Sequence, residues 1–361
     1  MRRMLLVVLV LSACSLAWLA ARGSGADEHL DWLVPPEYDA TYHFSEGYGI
    51  AERGKQLFLA DLQGILRPID GYRLAVSHRG KGSFDVIGDN LYVSQHRFAL
   101  VSIQDNKWHY FVAQTLRTLP GAWDEGAPFS EGKACVNEGR RYYVIDLQGK
   151  RLFALPGDPG PSGYSQGYLA VSNDEDKWGY VNTEGDWAIP PKYEWVLAFS
   201  DDVAWVLEDD AAFAIDREGH EIPDSRHEGN LAWCKGRTAL FETETGWLLY
   251  NCSRGLLATG KGDTMADTHM DAPLAVESPD GLWMYIDAEG RQAFKGSFNS
   301  WAPFHNGYGV FSEGNRVGVI DSRGRVVVPP VLDWSQFSRA GNGVLNARYK
   351  GKEGFLKLKK E

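Results

Sequence analysis

The chain has 361 residues, of which 44% are hydrophobic and 24% charged, and its net charge at pH 7 is −11. This length exceeds what one compact hydrophobic core usually supports, so it predicts several domains or a repeat array. The negative charge argues against binding to nucleic acid, because contacts to phosphate need a basic face and the body of the sequence offers no cluster of lysine and arginine.

Residues 1–26 have the pattern of a targeting segment rather than of a folded element. Two arginines near the start are followed by a long apolar stretch, as in an export signal. The residues up to Cys14 resemble a lipobox, in which this cysteine is lipidated. Small residues at Ser24–Ala26 offer a site for ordinary cleavage instead, and the stretch is also long enough for an uncleaved anchor. All three alternatives place residues 27–361 in the cell envelope or periplasm, with membrane contact only through this segment.

One short motif recurs along residues 27–361: an aspartate or asparagine followed three positions later by a glycine. The best-preserved copy is Asn182–Gly185, and a version one residue longer lies at Asn251–Gly255. The other copies are Asp61/Gly64, Asp146/Gly149, Asp216/Gly219, Asp287/Gly290 and Asp321/Gly324. From Asp146 onward the first residue of the motif advances by 36, 34, 35, 36 and 34 positions. Such an even period predicts stacked supersecondary units.

Three further patterns keep step with this turn. An aromatic and aliphatic segment precedes it, as in Trp178–Val181, and an aliphatic run ending in two prolines follows it, as in Ile189–Pro191. Thirteen or fourteen residues before that aromatic and aliphatic segment lies Phe-Ser-Glu-Gly or a variant of it. The copies are at residues 44–47, 129–132, 164–167, 199–202 and 304–307.

Together these residues resemble the WG-repeat family (WG-containing β repeat). Its units read approximately Phe-Ser-Glu-Gly, Ala-x-Val, Trp-Gly-Tyr-Ile-Asp, Gly, Ile-Pro-Pro, Tyr. The resemblance covers nearly the whole chain after residue 30, although the Trp-Gly dipeptide itself survives only at Trp178-Gly179. The resemblance implies a β-repeat fold and assigns no activity, since the function of these repeats is largely unassigned.

Each unit is expected to form about three short strands. The central strand, Trp178–Val181, is apolar on both of its faces and is therefore predicted to be buried on both. Gly179 then marks a close approach by a neighbouring strand. Asn182–Gly185 is the predicted hairpin turn, and Pro190-Pro191 is expected to end the third strand, because proline has no N–H for a sheet.

The predicted fold is all-β, with tandem units of about 35 residues over residues 27–361. Residues 30–36 read as a third strand without its first two, and Gly354–Leu356 reads as a second strand. The two ends of the chain are therefore able to complete one unit together. This phase favours a propeller-like ring of about nine units over an open, curved β-solenoid or superhelical array.

The sequence predicts no catalytic residue, no metal site and no cofactor. Gly163–Gly167 matches the G-x-S-x-G motif of hydrolases, but a strand follows it where a helix is required, and Ser165 is the repeat serine. The acidic groups at 174–176, 201–202 and 208–210 fall at repeat-equivalent turns, which favours solvated loops over paired catalytic carboxylates. Asp263, Asp267, His269 and Asp271 are denser in potential ligands, but a polar loop explains them better.

Cysteine use is compatible with export. The mature chain has three cysteines, and Cys234 and Cys252 are expected on neighbouring strands of one unit, where a disulfide would stabilise the fold by roughly 3 kcal/mol. Three buried or unreactive thiols are the alternative.

Several tryptophans lie outside the repeated Trp-Gly strand, and four of them are candidate ligand-binding residues: Trp195, Trp205, Trp301 and Trp334. Trp123 has a similar position. When exposed, such rings stack on sugars or anchor a protein partner. The predicted function is a non-enzymatic cell-envelope scaffold that binds a protein. A glycan-binding module is the alternative, and a hydrolase is a third, less favoured one.

Overall fold

The computed structural model describes residues 30–74, 93–265, 271–278, 281–295, 304–333 and 340–358. In these ranges every regular element is a β-strand, and the strands form nine antiparallel sheets. No helix in the described ranges is long and apolar enough to cross a membrane. The all-β prediction is therefore confirmed.

The sheets follow one another along the chain as blades. Strand β1 spans Trp32–Tyr38 and belongs to the last blade. Blade 1 contains β2 (Ala40–Thr41), β3 (Tyr48–Arg53), β4 (Gln56–Asp61) and β5 (Leu66–Ile69). Blade 2 contains β6 (Tyr72–Arg73), β7 (Arg97–Ser102), β8 (Trp108–Val112) and β9 (Arg117–Thr118). Blade 3 contains β10 (Glu125–Gly126), β11 (Lys133–Glu138), β12 (Arg141–Asp146) and β13 (Arg151–Ala154). Blade 4 contains β14 (Asp158–Pro159), β15 (Leu169–Ser172), β16 (Trp178–Val181) and β17 (Trp187–Tyr193).

The remaining blades repeat this order. Blade 5 contains β18 (Trp195–Val196), β19 (Ala204–Glu208), β20 (Ala211–Ile215) and β21 (His227–Glu228). Blade 6 contains β22 (Asn230–Lys235), β23 (Thr238–Thr243), β24 (Gly246–Asn251) and β25 (Gly255–Gly260). Blade 7 contains β26 (Thr264–Met265), β27 (Leu274–Glu277) and β28 (Trp283–Ile286). Blade 8 contains β29 (Phe304–His305), β30 (Tyr308–Glu313), β31 (Arg316–Asp321) and β32 (Val326–Leu332). Blade 9 contains β33 (Ala340–Gly341), β34 (Val344–Tyr349) and β35 (Lys352–Lys357).

The first strand of the chain closes the ring. Strand β1 pairs antiparallel with β35, so that Trp32 lies opposite Leu356 and Val34 opposite Phe355. Blade 9 thus takes three strands from the C-terminal end and its fourth from the N-terminal end, as the phase of the repeats predicts. The hydrophobic core follows the same circle, because clusters of buried side chains join each blade to the next, including blade 9 to blade 1. The ring is therefore closed, and the open array is excluded.

The blades have four strands where the sequence predicts about three, and this part of the prediction is wrong. Eight of the nine sheets in the described residues are four-stranded. The missed element is the first strand of each blade, which is often only two residues long, such as β18. Two residues are too few to show a hydrophobic period, so the sequence does not reveal them.

The double proline does not end the outer strand, as the sequence had suggested. Strand β17 continues through Pro190 and Pro191 to Tyr193. Its pairing skips at the prolines, since Tyr180 lies opposite Ile189 and Trp178 opposite Tyr193. An outer strand has a neighbour on one side only, so a proline there removes no essential ladder bond. The prolines therefore form a bulge within the strand rather than its end.

The repeated turn has the same geometry in the copies whose glycine lies three positions after the Asx residue, whereas the longer copy at Asn251 bonds the amides of Ser253 and Arg254 instead. Oδ1 of Asn182 accepts hydrogen bonds from the backbone amides of Glu184 and Asp186, each at 3.0 Å. Oδ1 of Asp321 does the same for the amides of Arg323 and Arg325, each at 2.9 Å. The short polar side chain thus satisfies two amides of the hairpin, which is the mechanism of an Asx turn.

Phe-Ser-Glu-Gly and its variants join most blades to the next. The two carboxylate oxygens of Glu131 accept hydrogen bonds from the backbone amides of Gln166 and Gly167, at 2.6 and 2.8 Å. Ser165 Oγ donates to the carbonyl oxygen of Phe199 at 2.6 Å. The same relationship, from one blade to the next, holds for Glu46 with Gln95 and His96, Gln95 with Gly132, Gln166 with Asp202, Asp271 with Asn306, Asn306 with Ala340, and Asn342 with Gly47. We name this set of bonds the belt.

The belt orients the blades. In the belt, short side chains bridge successive blades, which requires the blades to be close together. Blades converge at the axis of the ring, so the connections after the first strands lie nearest the axis. The fourth strands lie outside, and most side chains of β13 are exposed accordingly. Because the strands are antiparallel, the belt and the Asx turns share one face of the ring. The hairpins between the second and third strands lie on the other, which we name the hairpin face.

Candidate functional site

Among the tryptophans that the sequence singles out, Trp195 is the one that the structure shows exposed, with 41% of its surface accessible. Trp123 and Trp205 are 5% and 1% accessible. The suggestion that Trp205 contacts a ligand is therefore wrong for this structure. It packs between blades 5 and 6, and its Nε1 donates to the carbonyl oxygen of Gly236 at 3.0 Å. Trp301 and Trp334 lie outside the described residues, as does Cys14.

Trp195 borders a groove between blades 4 and 5. It begins the innermost strand β18, and its ring meets that of Trp178 in β16 at a centroid distance of 4.8 Å and an interplanar angle of 65°. The cavity beside the two rings has a volume of about 370 Å³. Its wall continues along the chain from Trp195 to Ser200 and includes Gly160 of the preceding blade. We name this cavity the tryptophan groove.

One end of the tryptophan groove reaches the belt, and we name it the inner end; the opposite end is the outer end. Lys235 and Asp271 line the inner end, and Lys235 Nζ lies 2.9 Å from Asp271 Oδ1. Burial alone would raise the pKa of Asp271, but hydrogen bonds from Lys235 and from the amide of Asn306 outweigh it and lower that pKa. Asp271 is therefore ionised at neutral pH, and its negative charge lies beside the Lys235 side chain at this end.

Two acidic hairpins flank the outer end of the groove. The first, Asp174–Asp176, precedes Trp178, and its side chains are exposed. The second, Glu208–Asp210, follows Leu207, which pairs with Trp195. Asp209 and Asp210 both have a positive φ, of 53° and 60°, as in a tight two-residue hairpin.

The pKa of Asp158 reflects the local excess of negative charge. The side chain is half-buried at the start of blade 4. Burial raises its pKa, and the nearby carboxylates of Asp174 and Asp176 raise it further. Among the described residues, no lysine or arginine lowers the pKa of Asp158, so the outer end of the groove attracts positive charge.

Two side chains that line the groove, Ser165 and Cys234, carry potential nucleophiles. The hydroxyl of Ser165, within the G-x-S-x-G match, donates to the Phe199 carbonyl and serves the belt. The thiol of Cys234 also lines the groove, but burial raises its pKa to about 12, so it is protonated at neutral pH and a poor nucleophile. The aromatic rings, by contrast, are accessible for stacking and anchoring.

The expectation that Cys234 and Cys252 lie on neighbouring strands is wrong. Cys234 lies in β22 and Cys252 follows β24, and β23 pairs with both strands. With β23 between them, their Cα atoms are about 10 Å apart, whereas a disulfide needs less than about 7 Å. Both thiols are free in the structure. Burial raises the pKa of Cys252 as well, to about 11.

The acidic side chains that resemble metal ligands have other partners. Asp216, Glu218 and His220 lie together in the Asx turn of blade 5 and are exposed or nearly so. Asp216 Oδ1 accepts the amides of Glu218 and His220, so it serves the turn. Of the four residues considered for a metal in the sequence, Asp263 is exposed, Asp267 and His269 lie outside the described residues, and Asp271 belongs to the belt.

The closed ring of nine blades defines the chain as a β-propeller. The family model for the WG containing repeat matches residues 26–55 and 178–210, so the chain carries WG repeats. The match at 178–210 contains Trp178, Gly179 and Trp195, and therefore both aromatic rings of the tryptophan groove.

Comparisons with other proteins add little beyond the fold. None of the curated proteins compared with this chain matches it. Among solved structures, the chain is similar to a eukaryotic initiation factor, with 10% identity, a TM-score of 0.49 and coverage of 81% of this chain and 89% of the other. AztD from Citrobacter koseri shares 14% identity, with a TM-score of 0.40 and coverage of 85% and 96%. BamB from Moraxella catarrhalis shares 11% identity, with a TM-score of 0.33 and coverage of 74% and 80%. Similarity this distant carries no information about function.

Proposed function

We propose that this protein is an exported, non-enzymatic β-propeller that acts as an interaction scaffold in the cell envelope, and that it binds a protein partner at the tryptophan groove. The observation that carries the proposal is the exposure of Trp195 at the mouth of a cavity of about 370 Å³. A large exposed aromatic ring beside a cavity is a common anchor in protein interfaces.

Protein binding is preferred to glycan binding for a structural reason. A sugar-binding groove of the expected kind needs several exposed aromatic rings side by side. Trp123 and Trp205 are buried between blades, so they do not form a row of exposed rings with Trp195. Export is supported by the arginines and the apolar stretch within residues 1–26.

Site-directed photocrosslinking in the source organism tests the proposal. A photoreactive phenylalanine analogue replaces Trp195 in one variant and Ile103 in the control. Ile103 is 64% exposed and lies in the hairpin of blade 2, on the same face of the ring. We expect a discrete protein adduct from position 195 and none, or a different set, from position 103. Equal adducts from both positions, or none from position 195, would refute binding at the groove.

Cell fractionation tests the location separately. We expect the chain in the envelope or periplasmic fraction, and a Cys14→Ser variant distinguishes lipidation from cleavage or anchoring. If the protein remains in the cytoplasm, export is refuted whatever the crosslinks show.

A further inference from the structure

Charge is distributed unevenly around the ring. Blades 4 and 5, residues 158–228, contain seventeen acidic and four basic residues. Their net charge is −13 in a chain whose total is −11. The negative charge of the whole molecule is therefore concentrated in the two blades that form the tryptophan groove, while the remainder of the chain is close to neutral.

Three of the four basic residues of this sector have acidic partners, and the fourth, Lys192, lies over the ring of Tyr193. Arg217 pairs with Asp202 at 3.2 Å, Arg226 with Glu221 at 2.7 Å, and Lys177 approaches Glu194 at 4.0 Å. Within the described residues, Asp174, Glu175 and Asp210 form no such pair. These three carboxylates lie at hairpin tips beside the groove, where a bound partner can reach them.

The aromatic rings and the carboxylates point to the same kind of ligand. A guanidinium or ammonium group is attracted to the face of a tryptophan ring and to carboxylates, and the two attractions act together when they flank one cavity. The inner end of the groove adds no competing charge, since Lys235 is neutralised by Asp271.

We propose that the tryptophan groove receives a segment rich in arginine and lysine from a protein partner, with a cationic side chain stacked on Trp195 between the two acidic hairpins. This inference rests on the proposed function and specifies the chemistry of the partner. The excess negative charge of blades 4 and 5 accelerates encounter with such a segment, and the ring fixes where it docks.

Fluorescence anisotropy with the full chain tests the inference. The probe is a labelled nine-residue peptide of alternating arginine and glycine, and the comparison peptide has glutamate in place of arginine. We expect the arginine peptide to bind and the glutamate peptide not to bind. We also expect affinity to fall at least tenfold between about 50 mM and about 300 mM salt, because the charges are exposed to screening.

Variants assign the binding to the groove. Trp195→Ala is expected to weaken binding of the arginine peptide about tenfold, and Trp195→Phe to retain part of the affinity. The double variant Asp174→Asn, Glu175→Gln is expected to weaken it about threefold to tenfold. The control Asp31→Asn, Glu313→Gln removes the same charge from exposed positions in other blades, and it is expected to leave affinity within about twofold.

The outcomes separate this inference from the proposed function. Equal binding of both peptides, or equal loss in the groove variant and the charge control, overturns the cationic partner. A discrete photocrosslink at position 195 together with no binding of the arginine peptide also overturns it, but leaves the interaction scaffold standing. If neither crosslinking nor peptide binding depends on position 195, both proposals fall.

Discussion

Gly179 has no space for a side chain because the carbonyl of Ile189 lies directly against it. A Cβ built on Gly179 would lie 2.4 Å from the Ile189 oxygen, far inside van der Waals contact. Gly318 meets the Val328 oxygen at 2.8 Å and Gly354 the Val34 oxygen at 2.5 Å, in the two other blades whose outer strand carries Pro-Pro. The glycine and the double proline are therefore two halves of one packing arrangement, in which the bulged outer strand presses on the third strand.

We expect Gly179→Ala to destabilise the protein by about 1–3 kcal/mol, because the backbone must shift to admit the methyl group. Gly160→Ala is the matched control, since its Cβ would meet nothing closer than the Ala170 Cβ at 3.3 Å. Urea denaturation followed by far-ultraviolet circular dichroism measures both. Equal stability of the two variants would contradict the role of Gly179.

The contact between the glycine and the double proline also explains why both features are absent together from other blades. Met284 and Leu248 occupy the position equivalent to Gly179 in blades 7 and 6, and the segments after their turns lack Pro-Pro. In blade 6, Leu248 pairs regularly with Thr259, so the outer strand leaves room for its side chain. The sequence indicates a close approach at Gly179, but it does not identify the partner, because the double proline reads as a strand end.

The period of the Asx turn predicted about nine units, and the phase of the two termini favoured a closed ring over an open array. The belt was not predictable from the same residues. Ser165 and Glu131 are visible as repeated positions, but their partners lie in the following blade, and only the folded ring brings the two together. The burial of Trp205 likewise depends on the neighbouring blade, whose Gly236 accepts its N–H.

The belt predicts that Glu131 contributes to stability. We expect Glu131→Ala to lower the free energy of unfolding by about 1 kcal/mol, because two amides lose their acceptor, while Glu131→Gln retains one acceptor oxygen and loses less. Glu184→Ala is the control. Glu184 is exposed in the Asx turn of blade 4. Its carboxylate accepts a hydrogen bond from the Thr183 hydroxyl rather than from a group of another blade. Identical unfolding midpoints for Glu131→Ala and Glu184→Ala would show that the belt adds nothing.

The Asx turns predict acid sensitivity. Burial would raise the pKa of Asp321, but the amide and guanidinium of Arg325 outweigh it and lower that pKa, and Asp287 behaves in the same way with Arg291. A lowered folded-state pKa stabilises the protein above the unfolded value of about 3.9, and this contribution is lost as pH falls through the folded-state pKa.

We therefore expect stability to fall as the pH drops below about 4, and the fall to be shallower in Asp321→Asn, Asp287→Asn. Asparagine fits this turn, since Asn182 already makes the same two hydrogen bonds. Unfolding midpoints across the acid range measure the slope. An unchanged slope in the double variant would mean that these carboxylates do not govern acid unfolding.

Ring closure through β1 predicts a sharp boundary for truncation. Removing residues 1–29 keeps the whole strand, so we expect the melting temperature to be unchanged. Removing residues 1–38 deletes Leu33, Val34 and Tyr38, which are 8%, 1% and 6% accessible, and leaves β35 without its outer partner. Burial of each such side chain contributes about 1.5–3 kcal/mol, so we expect the melting temperature to fall by more than about 10 °C. Adding a peptide of residues 30–38 in trans is expected to restore part of the loss, because it supplies the missing strand. If the two truncations melt together, the ring does not depend on its N-terminal strand.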